Sequence, residues 1–151
     1  MGYTTDFSGY ISIVPPLNAE ELQFIKKFSH TRRMKREWGP YFVDGSGEFG
    51  QGEDDDIIDY NSPPEGQPSL WCQWTSYDGN EIVWDGGEKF YASVEWMEYI
   101  IEHFWGDNPI ANLPFLQGHK LNGEIVAKGE ELNDLWVLVV NDNDVMVGDL
   151  W

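Results

Sequence analysis

The chain reads as an α+β domain, two helices packed on one face of a mainly antiparallel sheet, and three observations carry that reading. Amphipathic helical periodicity occurs twice, around residues 19–30 and 90–104. Runs that alternate apolar with polar residues, or are apolar throughout, lie between and after the helices, and turn dipeptides such as Asp78-Gly79 separate them. The resulting order is β-α-β-β-α-β-β-β, whose first six elements have the order of a split βαβ, ferredoxin-like core. The 151 residues fit a single domain spanning residues 1–151, long enough to bury a real core.

Residues 9–14 read as a first strand, with Ile11 and Ile13 on one side, stopped by Pro15-Pro16. A helix follows with a full start signal: Asn18 caps, Glu21 closes a capping box, and Leu17 staples against Leu22. Leu22, Ile25 and Phe28 form its buried stripe, and Lys26 and Lys27 suit the negative end of its dipole. Trp38-Gly39-Pro40 breaks any continuation, and residues 41–43 are expected to form a short strand. Gly45, Gly47 and Gly50 spell G-x-G-x-x-G, but the acidic run Glu53, Asp54, Asp55 and Asp56 follows where a dinucleotide site needs a helix N-terminus. Residues 44–58 are therefore expected to be a flexible acidic loop.

Residues 59–68 hold three prolines and should be an ordered extended segment. Residues 70–75 alternate as a strand, Asp78-Gly79 turns the chain, and Ile82, Val83 and Trp84 return it. In the second helix Phe90, Val94, Met97, Ile101 and Phe104 face inward while Glu95, Glu98 and Glu102 form a solvated stripe. Asp85 or Glu88 is expected to satisfy its first-turn donors, and Gly106 to end it. An irregular loop over residues 106–120 precedes three strands at 121–128, 134–140 and 145–151, the last two joined by a hairpin turn at Asp142-Asn143-Asp144.

Several stretches resemble a small uncharacterised family of bacterial and phage proteins. They are residues 3–7, residues 31–36 (TRRMKR), residues 59–74 (DYNSPPEGQPSLWCQW), residues 84–91 (WDGGEKFY) with Glu95-Trp96, and residues 121–124. Residues 37–56 are shorter here than in that family and residues 106–120 longer. The resemblance implies a cytoplasmic accessory protein of bacterial or phage origin, and brings no activity with it.

Charge narrows the function. A formal net charge of −18 disfavours direct nucleic-acid and anionic-membrane partners, while 15% aromatic residues argue against acidic disorder. Residues 26–36 hold six of the nine Lys and Arg and no acid, so the charge is segregated. Cys72, the one cysteine, excludes an intrachain disulfide and reads as a buried thiol. No signal-peptide pattern or membrane-length apolar run occurs, so a cytoplasmic location is expected.

No serine stands in a nucleophile elbow, and His30, His103 and His119 lack metal-ligand spacing. No cofactor or metal is expected. The favoured reading is a non-catalytic module that binds a protein partner with a basic surface, by nucleic-acid mimicry in one version. Its contacts would be Asp54, Asp55, Asp56 and Asp59 with the aromatic anchors Trp38 and Trp71. The alternative is a nucleotide or phosphate site, or an enzyme, built from Arg32, Arg33, Lys35, Arg36 and His30 with the Trp71 and Trp74 face.

Overall fold

A computed structural model describes residues 3–48 and 51–150. The backbone begins with β1 (Asp6–Val14), α1 (Ala19–His30), and two short strands, β2 (Lys35–Arg36) and β3 (Ile57–Asp59). It continues through β4 (Trp74–Thr75), β5 (Glu81–Trp84) and α2 (Ser93–Ile100), which widens into a π-helical turn at Ile101–Trp105. β6 (Lys120–Lys128), β7 (Leu135–Asn141) and β8 (Asp144–Asp149) complete it. The main sheet has six strands in the order β4-β5-β1-β6-β7-β8, and β2 with β3 forms a separate ribbon. Every pairing is antiparallel. The fold is thus α+β as expected, with two helices and a mainly antiparallel sheet.

Strand alternation decides which face is covered. Phe7, Ile11 and Ile13 of β1, Leu121, Ile125 and Ala127 of β6, and Leu138 and Val140 of β7 are buried on one side. Both helices cover that side. Phe24 and Phe28 of α1 meet Phe104 edge to face at 5.1 and 5.2 Å, and Phe28 meets Trp96 at 5.8 Å. The Phe7 ring lies edge-on to Trp74, Trp84, Phe90 and Trp136 at 5.2 to 6.2 Å. Such pairs add about 0.5–1.5 kcal/mol beyond the area they bury.

The capping box of α1 is present: Asn18 Oδ1 accepts the Glu21 N–H at 2.8 Å, and the Asn18 N–H donates to Glu21 Oε1 at 3.0 Å. Glu21 is wholly buried and also faces His119, whose Nε2 lies 3.0 and 2.9 Å from the two carboxylate oxygens. His119 Nδ1 lies 2.6 Å from the Pro15 carbonyl oxygen. Both nitrogens face acceptors, so both carry protons and the ring is an imidazolium. The pair ties the start of α1 to the entry of β6.

Other expectations change. Residues 41–43 form no strand, and of residues 70–75 only Trp74 and Thr75 pair, because the preceding backbone is engaged elsewhere: the Leu70 carbonyl accepts the Arg33 N–H at 2.6 Å. Helix α2 starts at Ser93, with Ala92 ahead of it at φ 59° and no side-chain cap. The Asp85 carboxylate accepts the Gly87 N–H instead. The expected Asp78-Gly79 turn is formed with Gly79 at φ +86°, and Asp142 and Asn143 take positive φ in the β7–β8 hairpin. Among the described residues, no helix is long and apolar enough to cross a membrane.

Candidate functional site

The β2–β3 ribbon organises the acidic segment. Its register shifts between Lys35 and Arg36, and Arg36 turns inward with its side chain only 2% exposed. One Arg36 terminal nitrogen donates to Asp54 at 3.0 Å and to Asp56 at 3.0 Å, and the other donates to the Ser46 carbonyl. The guanidinium carbon lies 5.4 Å from the Phe42 ring centre. Asp54 also accepts the Ser46 N–H at 2.6 Å. That backbone bond first, and Arg36 second, hold the Asp54 carboxyl below the usual range. A Cβ at Gly45 would fall on Arg36, Asp54 and Phe42, so the close approach requires glycine there. The described part of residues 44–58 is therefore folded around a cation, not the free loop that its composition suggests.

This clamp leaves a cleft of about 470 Å³ lined by Glu37, Trp38, Phe42, Asp44, Gly45, Asp54, Asp55 and Asp56. Trp38 is 71% exposed, with its ring centre 6.5 Å from that of Phe42. Against the five carboxylates stand Arg36 and, through a 2.7 Å contact with Asp44, Lys27. The cleft therefore remains negative beside an exposed indole. Trp38, Asp54, Asp55 and Asp56 all line this cleft. Asp59 does not join them: it pairs with Lys35 in the ribbon, and its carboxylate accepts the Asn61 N–H at 2.9 Å. Trp71, half-buried, is not part of the cleft lining either. Glu37 and Phe42 are not named as contacts by the sequence, and Gly45 enters it only through the glycine spelling; the signal available was the aromatic residue following the Gly39-Pro40 turn.

The cationic residues do not gather into one anion site. Arg33 is 2% exposed and donates to the carbonyls of Thr31, Pro40 and Phe42 at 3.2, 3.4 and 2.9 Å. It also lies 4.4 Å from the Phe28 ring centre. Burial, chiefly, brings its pKa down to about 10. Arg32 donates to the Tyr60 carbonyl at 3.0 Å, and Lys35 is exposed on the ribbon. His30 lies in a separate cleft of about 820 Å³ with Lys26, Lys27, Thr75, Tyr77 and Asp85, along with the acids Asp44 and Glu48. Burial raises the Asp85 carboxyl there, against the bond from the Gly87 N–H and the nearby His30. Cys72 is fully buried, with its thiol pushed up to about 12 by desolvation. Among the described residues no group of three His, Cys, Asp or Glu is placed to hold a metal ion.

Comparison with family models, with curated proteins and with solved structures finds no match.

Proposed function

We propose that this chain is a non-catalytic acidic binding module that takes a basic side chain of a protein partner into the Trp38 cleft. The resemblance to a bacterial and phage family implies only an accessory protein; inhibition of a partner by nucleic-acid mimicry is one form that the acidic surface suggests. One observation carries the reading: an indole 71% exposed stands beside five carboxylates on a framework already ordered by Arg36. A guanidinium suits such a place, because it stacks on an aromatic face while its N–H groups meet carboxylates. Asp55 and Glu37, both exposed and without a cationic partner within salt-bridge distance among the described residues, are the carboxylates left to meet it. The charge of the surrounding surface speeds encounter, and the aromatic residue supplies affinity.

The test uses a hexa-arginine amide and its citrulline counterpart as probes, followed by NMR. The arginine peptide is expected to shift the Trp38 indole and the Gly45 amide first, with the citrulline peptide silent. Trp38→Ala should weaken binding about tenfold, or about 1.4 kcal/mol. Glu37→Gln with Asp55→Asn should flatten the salt dependence. Equal affinity in Trp38→Ala, or shifts confined to other acidic faces, would remove the reading.

A second reading, a phosphate-bearing ligand, is favoured by Lys26, Lys27 and His30 in the larger cleft. Arg32, Arg33 and Arg36 would then play no direct part. Thermal shifts against a nucleotide panel decide it, since saturation at a hundred times the dissociation constant adds about 2.7 kcal/mol.

A further inference from the structure

Four pairs in this chain place Asp or Asn directly before glycine: Asp44-Gly45, Asp78-Gly79, Asp85-Gly86 and Asn122-Gly123. Glycine leaves the following amide nitrogen unhindered and its backbone free to fold back, so each pair holds the atoms of a cyclic imide. In three of the four the fold keeps the reacting groups apart. The Asp44 carboxylate is bound to Lys27 Nζ at 2.7 Å, and Gly45 is packed against Arg36, Asp54 and Phe42, which leaves no room for a ring. Asp78 accepts the Asn80 N–H at 2.9 Å, while the Gly79 N–H donates to Ser76 Oγ at 2.9 Å and Gly79 is buried. Asn122 Oδ1 accepts the Asp142 N–H at 2.8 Å, and Gly123 lies within β6, paired with Ile11 on one side and Val140 on the other.

Asp85-Gly86 differs at each of these points. Strand β5 ends at Trp84, so no ladder fixes the pair. Both residues are exposed, at the lip of the cleft that holds His30. Gly86 has φ +85°, and a Cβ there would meet nothing within 4 Å. Among the described residues its N–H has no hydrogen-bond acceptor. The Asp85 carboxyl is turned back on its own chain, where Oδ1 accepts the Gly87 N–H at 2.8 Å. No cation among the described residues lies within salt-bridge distance of it. Partial burial raises the carboxyl above its ordinary value, which enlarges the protonated fraction that a nitrogen can attack.

We propose that Asp85 is a site of spontaneous backbone isomerisation, through a cyclic imide closed with Gly86. The Gly86 nitrogen gives up its proton and bonds to Cγ of the protonated carboxyl; the Cγ–OH bond breaks and one water leaves. Water then adds to the imide. Opening at the Asp85 main-chain carbonyl frees that carbon as a carboxylate and leaves the chain running through Cγ, an isoaspartate; opening at Cγ restores aspartate. The product has the parent mass and one more methylene in the connection between β5 and α2. That connection holds Lys89 and Ala92 in left-handed backbone, at φ 54° and 59°, and a longer chain lets them relax. Because Asp85 shares its cleft with Lys26 and His30, the change also moves the carboxylate nearest those cations.

Incubation of the full chain at neutral pH and body temperature, followed by peptide mapping with electron-transfer fragmentation, tests this. Isoaspartate, with its imide precursor one water lighter, should collect at Asp85 about tenfold or more faster than at Asp44, Asp78 or Asn122. In urea the order should change, with Asn122-Gly123 leading, since a carboxamide is attacked more readily than an ionised carboxylate once the fold no longer guards it. Asp85→Glu, which would need a larger ring, should abolish the product at that position with the circular dichroism unchanged. Equal rates at the four pairs in the folded protein overturn the proposal. So does a native order that matches the order in urea, or an imide that persists in this segment of Asp85→Glu.

Discussion

Replacing His119 by leucine isolates the most consequential polar contact in the core. Both side chains of the His119–Glu21 pair are 0% exposed. Glu21 accepts N–H bonds from Asn18 at 3.0 Å and Gln117 at 3.1 Å, besides the bonds from His119. Leucine fills much of the imidazole volume but removes the only cation and leaves the Pro15 carbonyl without its donor. Breaking a buried pair on one side costs about 3–5 kcal/mol, against a total of roughly 5–15 kcal/mol for an ordinary domain. The pH dependence supplies a signature that lost packing would not. Burial alone would raise the Glu21 carboxyl, but the bonds from His119, Asn18 and Gln117 outweigh it and hold the pKa below 4.5. Burial alone would lower the His119 imidazolium, but the bonds to Glu21 and Pro15 hold it above 6.5. The glutamate's contribution is therefore present above about 4.5 and lost as pH falls through its lower folded value. The histidine's contribution is full below about 6.5 and lost as pH rises through its higher folded value. The wild-type advantage should be greatest between those limits and shrink on the alkaline side. In the variant an unpaired buried carboxyl takes up a proton, so stability should instead rise as pH falls below neutral. Urea denaturation of both proteins from pH 5 to pH 9 reads this directly. A loss under about 1 kcal/mol, or a gap between the two that does not change with pH, would refute the assignment of a buried ion pair.

Three further outcomes follow from the same geometry. Arg36→Met should cost about 3 kcal/mol, because Asp56, with its side chain 11% exposed, loses its cation; hydrogen exchange at the Ser46 amide should quicken, since Asp54 is no longer held in place. Cys72 should resist labelling by a disulfide reagent in the native protein and react promptly in urea, because its thiol is fully buried with a pKa of about 12. Asn18→Ala should lower stability by about 1 kcal/mol in a thermal melt by removing the acceptor for the Glu21 N–H.

What could be read from the residues, and what could not, follows a physical division. Helix α1 was legible to its cap, because Asn18, Glu21 and the apolar spacing act within a few residues of one another. The β6 to β8 meander and the solvated Glu95, Glu98 and Glu102 stripe were legible for the same reason. The β2–β3 ribbon was not, since its partners are some twenty residues apart and held by Arg36, whose type suits neutralising the chain's own acids but does not name Asp54 and Asp56 as its partners. Likewise the TRRMKR run presents as one patch in sequence, but backbone carbonyls and aspartates draw Arg33 and Arg36 inward while Lys35 stays out. Of the candidate site, the acids and Trp38 were visible as types; that Phe42 and Gly45 complete the cleft depended on long-range packing. Glu21 and His119, nearly a hundred residues apart, announced nothing of their union beyond the capping box.

The widened turn at Ile101–Trp105, closed by the Gly106 N–H on the Ile101 carbonyl at 2.7 Å, behaves as one surplus residue absorbed within a helix. Downstream side chains are set back by about 100° relative to a regular spiral, and that rotation is what seats Phe104 and Trp105 in the interior together with Ile100 and Ile101. Excising Glu102, which faces solvent, would let the coil close in ordinary fashion with both aromatic rings still turned toward the interior. A one-residue deletion is therefore absorbed within this turn, whereas the same deletion in the regular part of α2 would rotate everything after it by about 100°.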